Sequence, residues 1–191
     1  MIDSTSASRR RSTKCPACVA SSGFGGQSRY AVDVILHRPQ AVVFRQGMRI
    51  PVTADLTRLP FAPYERASKN LFVVTGVGSR PPEAGKIWRD RSLSAGLLAL
   101  AQIAPYFDEL APLGLSRIDV SGAADSRRGV VLYGIDGIRV RWGRPNASVR
   151  ENPVETKIAF LRLVASDIER VRGKEIDVRF GTLYLRELPE L

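Results

Sequence analysis

PVETKIAFLRLVASDIERVRGKEIDVRF, residues 153–180, changes its hydrophobic period partway along, and that change decides the fold. Up to Gly173 the apolar positions recur every three or four residues. Ile158, Leu161, Ala165 and Ile168 share one helical face, and Phe160 and Val164 widen it. Pro153 suits a first turn, Asn152 can cap it and Gly173 ends it, which predicts a helix over residues 154–172. After Gly173 the period drops to two. Ile176, Val178 and Phe180 point one way and Asp177 and Arg179 the other, as in a half-buried strand. Gly181-Thr182 suits a two-residue type II′ turn that returns the chain as residues 183–187, so a hairpin is expected over residues 176–187.

Upstream the same logic repeats. Residues 129–133 and 138–142 read as strands joined by the turn Gly134-Ile135-Asp136-Gly137, and residues 115–120 as a strand before them. A helix is expected over residues 93–107, where Leu93, Leu97, Leu100 and Ile103 or Ala104 share a face. Asp90 or Ser92 can cap its start, and Pro105 weakens its last turn. Residues 71–74 form a short apolar strand stopped by Gly76 and Gly78, and residues 53–70 a polar connection with Pro60 and Pro63. AVVFRQGMRIPV, residues 41–52, reads as a hairpin turning at Gln46-Gly47, with Pro51 near its end or on an edge, and residues 30–38 are β-rich. The expected plan is α+β, a mostly antiparallel sheet with two main helices packed on it. Short connections disfavour parallel crossovers except across the helices.

The 191-residue chain carries a net charge of +10 at an ordinary 44% hydrophobic content. A basic surface suggests nucleic acid, but its distribution argues against that partner. Residues 1–29, read as a disordered basic tail, hold Arg9, Arg10, Arg11, Lys14 and Arg29 against Asp3, and the remaining excess is thinly spread. Cys15 and Cys18 form a lone CPAC pair that lacks the second ligand pair of a zinc site and the strand-to-helix setting of a redox motif. They are at most a weak metal candidate.

Placed acids, bases and nucleophiles are scarce. The single histidine, His37, reads as a surface or edge residue rather than a general base. Gly76-Val77-Gly78 follows a strand as a dinucleotide loop does, yet SRPPEAG stands where the helix should be. Glu155 with Lys157, Asp167 and Glu169 with Arg170 and Arg172, and Asp177 with Arg179 read as solvated charge pairs. A non-catalytic scaffold or binding module, with no cofactor and no small-molecule substrate, is expected rather than an enzyme.

Four stretches resemble, in order, the FtsQ/DivIB cell-division proteins. HRPQAVVF (37–44) is similar to the passage where that family's polypeptide-transport-associated (POTRA) domain meets its β domain, and LFVVTGVGS (71–79) to the passage before its first long helix. ETKIAFLRLV (155–164) resembles its Glu-x-Lys-led helix, and EIDVRF (175–180) its terminal Ile-Asp-Leu-Arg-Tyr signature. The resemblance implies residues 30–45 as a POTRA remnant and 46–191 as the β domain of a divisome scaffold. It also implies a place on the periplasmic side of the inner membrane, although the chain as written has no signal or transmembrane segment. Its implied partners are FtsB- and FtsL-like proteins, the former held by strand addition to the last β element. Arg179 and Phe180 match the family's partner-contacting Arg-Tyr pair, without the tyrosine hydroxyl, and Leu183, Tyr184, Leu185, Arg186 and Glu187 would be the edge strand. An exposed terminal strand supports such pairing through its free N–H and C=O groups. The alternative function is a basic nucleic-acid-binding protein.

Overall fold

The computed structural model describes residues 37–125, 128–145 and 150–188, without the side chains of Pro63 and Ala67. Most of the β-rich run at 30–38, the basic tail and the Cys15/Cys18 pair lie outside these residues. The first strand among the described residues, β1 (Ala41–Arg45), turns into β2 (Met48–Val52). Gln46 and Gly47 both have positive φ, 48° and 78°, the geometry of a type I′ hairpin turn that follows the strands' own twist. The expected boundary between residues 30–45 and 46–191 falls inside this hairpin, whose strands share one core.

The chain continues through a short helix α1 (Glu65–Ser68), β3 (Val73–Thr75), helix α2 (Arg91–Ile103) and β4 (Arg117–Asp119). Then come β5 (Val130–Tyr133), β6 (Arg139–Gly143), helix α3 (Val154–Ala165), β7 (Lys174–Asp177) and β8 (Tyr184–Glu187). The eight strands form one sheet in the order β2-β1-β3-β4-β5-β6-β7-β8. Four of its seven pairings are antiparallel, so the α+β plan holds. The parallel pairs β3–β4 and β6–β7 are the crossovers expected across α2 and α3. A third parallel pair, β1–β3, corrects the expectation: β2 occupies the outside of β1, and the chain returns through residues 53–72 to pair on its inner side.

One apolar row runs across the whole sheet. Ile50, Val43, Val74, Ile118, Leu132, Val140, Ile176 and Leu185 are successive register partners, and the first seven are buried. Helices α2 and α3 cover this face with Leu93, Leu97, Leu100, Ile103, Ile158, Leu161 and Val164. Gly96 sits at the closest approach: a Cβ there would lie 2.6 Å from Val120 Cγ1, so glycine lets α2 settle on β3 and β4.

Local chemistry sets the helix ends. Asp90 caps α2 by accepting the Leu93 N–H at 2.9 Å, and its other oxygen takes the Ser79 hydroxyl at 2.6 Å. Pro105 converts the expected last turn of α2 into the 3-10 turn Ala104–Tyr106. Helix α3 likewise ends at Ala165, and a separate 3-10 turn, Ile168–Val171, completes the expected span. Asn152 does not cap α3. Pro153 stands at the cap position, and the Asn152 side chain donates instead to Val178 O at 3.0 Å.

Lys157 departs furthest from expectation. The sequence pairs it with Glu155 as a solvated couple, whereas it is 3% exposed and meets Glu151 at 2.9 Å. Its ammonium also donates to Trp142 O at 2.7 Å, and the Glu151 carboxylate accepts the Arg144 N–H. Gly143, at φ +86°, makes room, since a Cβ there would lie 2.2 Å from Glu151 Oε2. Removing one partner of such a pair strands a buried charge. Lys157→Met is therefore expected to lower the unfolding free energy by about 3–5 kcal/mol, read from urea midpoints. Adding Glu151→Gln to that variant should restore a large share. A single variant within about 0.5 kcal/mol of the parent would remove the pair from the fold's essentials.

Candidate partner-binding edge

The last two strands pair in the register Lys174–Glu187, Glu175–Arg186, Ile176–Leu185 and Asp177–Tyr184. β8 ends the sheet, and among the described residues no strand pairs with its outer side. All four of its residues are exposed, Tyr184 to 62% and Leu185 to 37%. The apolar row that begins at Ile50 thus surfaces at Leu185. Successive residues of a strand direct their N–H and C=O groups to opposite sides, so half of those on β8 face outward.

The opposite edge is treated differently. β2 carries Pro51, which has no N–H, and the Pro51 carbonyl accepts the Leu59 N–H at 2.8 Å. Val52 also bridges Arg58, so residues 58–59 cover much of that edge. On β8 the protection among the described residues is charge: Glu187 meets Lys174 at 3.1 Å, and Arg186 is exposed.

The connection between β7 and β8 corrects the expected two-residue turn. Strand pairing stops at Asp177 and resumes at Tyr184, which leaves residues 178–183 as the loop. Competing partners draw the chain away from β8. Asn152 N–H donates to Arg179 O at 2.6 Å and its side-chain amide to Val178 O, while Val178 N–H turns back to Arg141 O. Arg179 then folds its guanidinium onto Asp177, with Nε to Oδ1 at 2.9 Å and Nη2 to Oδ2 at 2.6 Å. The expected alternation is therefore reversed beyond Val178: Arg179 is 7% exposed and Phe180 41%.

Burial raises the Asp177 carboxyl, but the hydrogen bonds and charge of Arg179 outweigh it and hold the group below the usual carboxylate range. The Arg179 guanidinium also lies 5.0 Å from the centre of the Phe180 ring, a cation–π contact that steadies the aromatic at the surface. Between this loop and β8 lies a hollow of about 350 Å³ bordered by Arg141, Glu175, Phe180 and Tyr184.

The sequence-derived site residues are thus divided by the fold. Phe180, Tyr184, Leu185, Arg186 and Glu187 are exposed around one edge, Leu183 is partly buried against the core, and Arg179 is internal to the loop. Glu151 and Asn152, which position that loop, were not singled out for this role. Asn152's partner Val178 lies 26 residues away in the chain, Glu151 is held by Arg144 and Lys157, and no periodicity marks either residue. His37 is exposed outside any strand, and among the described residues no cluster of His, Cys, Asp and Glu suits a metal ion. Comparison with known proteins finds no family model that matches the chain and no curated protein similar to it in sequence.

A carboxylate whose pKa is depressed on folding contributes stability above its unfolded value of about 3.9, and that contribution fades as pH falls through the folded value. Asp177→Asn is accordingly expected to reduce stability at neutral pH and to flatten its loss below about pH 4. Urea midpoints against pH provide the check, and parallel curves for the two proteins would contradict the assignment.

Proposed function

We propose that this chain is a non-catalytic, FtsQ-type cell-division scaffold that takes an extended segment of a small FtsB-like partner as an added strand beside β8. The observation that carries the reading is the asymmetry between the two sheet edges. Proline and a crossing loop guard β2, while β8 presents an exposed, hydrogen-bonding edge with Tyr184 and Leu185 on its two faces. Strand addition needs such an edge for affinity and alternate side-chain contacts for selectivity. The ordered family-like stretches, ending in EIDVRF, support the identity of the partner.

In this reading Arg179 and Phe180 divide the labour. Arg179 holds the loop through Asp177, and Phe180 offers its ring to the partner. Leu185 extends the sheet's apolar row, so an incoming apolar side chain beside it is removed from water. Each such methylene buried contributes about 0.8 kcal/mol. Division proteins of this type work on the periplasmic side of the inner membrane, which is the place proposed for this domain. Among the described residues no helix is long and apolar enough to cross a membrane.

Prolines introduced in turn at Leu185 and Arg186 test the edge, because neighbouring N–H groups point to opposite sides of the strand. One variant should lose a bond to β7 and lose stability. The other should keep the parent's thermal midpoint and bind a synthetic peptide from the FtsB-like protein of the same genome at least about tenfold more weakly. Calorimetric titration reads the affinity. Undiminished binding by both folded variants would remove the edge from the mechanism, and salt-steep DNA binding that survives deletion of residues 1–29 would favour the nucleic-acid alternative.

A further inference from the structure

The sheet face opposite the helices carries a groove that strand addition at β8 does not use. Register partners Arg117, Tyr133 and Arg139 stand side by side on β4, β5 and β6. Arg49, Lys69 and Phe44 border the other end, and the groove encloses about 660 Å³ with no acid among the described residues that line it. The Arg117 and Arg139 guanidinium groups lie over the Tyr133 ring, 4.1 and 5.7 Å from its centre. Stacking of this kind occupies a guanidinium's flat face and leaves its in-plane N–H fork available to an anion. The next acid along the row, Glu175, accepts from Arg141 at 2.7 Å.

We propose that this groove binds an acidic peptide segment laid across the strands, with carboxylates on Arg49, Arg117 and Arg139 and an apolar side chain against Phe44. Three observations select that occupant. The cations run from β2 to β6, five strand spacings or on the order of 24 Å, which fits an extended chain rather than one phosphate. Tyr133 has guanidinium groups over it from both neighbouring strands, so it does not offer the free ring on which nucleic-acid bases stack. Phe44, 46% exposed, supplies an apolar contact suited to a peptide side chain. The chain's own residues 1–29 are basic and have the wrong charge for the groove.

Fluorescence anisotropy on the full chain provides the test. The probe is a labelled octapeptide of glutamates with two phenylalanines, compared with its glutamine counterpart, oligouridylate and inorganic pyrophosphate. The glutamate probe should bind, weaken with added salt and lose at least about tenfold in affinity in an Arg117→Ala/Arg139→Ala variant with an unchanged thermal midpoint. Because the basic tail is the same in parent and variant, that difference reports the groove. The β8 proline variant that stays folded should bind the probe like the parent, which separates this site from the edge. Absence of binding, equal binding of the glutamine peptide, or an affinity unchanged in the double variant would overturn the proposal. So would displacement of the probe by oligouridylate or pyrophosphate at lower concentration than the unlabelled glutamate peptide.

Discussion

The buried contact between Lys157 and Glu151 is the constraint on which the C-terminal half depends. An ammonium and a carboxylate removed from water hold together only if both are fully partnered, and here they are. Lys157 reaches Trp142 O and Glu151, while Glu151 also receives the Arg144 N–H. These contacts fix the first turn of α3 against the end of β6 and fix residue 151 beside both. Asn152 follows directly in the chain, so its bonds to Val178 and Arg179 are set by the same anchor. The strength of the arrangement is its shared geometry: one ion pair registers a helix, a strand end and the loop that precedes the sheet's last strand.

From that anchor the layering follows. Both main helices lie on one face, over the apolar row from Ile50 to Ile176, and leave the reverse face to Arg117, Tyr133, Arg139 and Arg141. A sheet covered on one side alternates apolar and polar residues along its strands, as β4 and β6 do. It also has two ends to manage. Pro51 and the Arg58 bridge manage the first, and the exposed β8 leaves the second open to pairing. Arg49, Arg117 and Arg139 stand on β2, β4 and β6, so a sheet built for packing also sets cations in a row.

Much of this was legible locally. β-rich residues on either side of the Gln46-Gly47 pair specify a hairpin over residues 41–52 whatever surrounds it, because positive φ at Gly47 is available without a side-chain clash. The helix faces were legible for the same reason, since Leu93, Leu97 and Leu100 must be buried together if they are buried at all. The turn at Gly181-Thr182 was misread because its local chemistry permits a tight reversal, while Asn152, distant in sequence, holds residues 178–179 elsewhere. Lys157 was misread for a related reason. A lysine two residues from a glutamate resembles a solvated surface pair until the fold brings Glu151 and the Trp142 carbonyl around it.

By itself, then, the sequence determined the strands, the helices, their apolar faces and the α+β plan, because these follow from the chain's own periodicity and turn residues. Tertiary structure alone decided three things: that Arg179 turns inward and Phe180 outward, that β8 is the open edge while β2 is guarded, and that four cations border one acid-free groove. Each depends on which segments meet across the sheet. Contacts between residues far apart in the chain leave no periodic trace in it, and the physical balance of burial and hydrogen bonding that chooses among them exists only once the segments are packed.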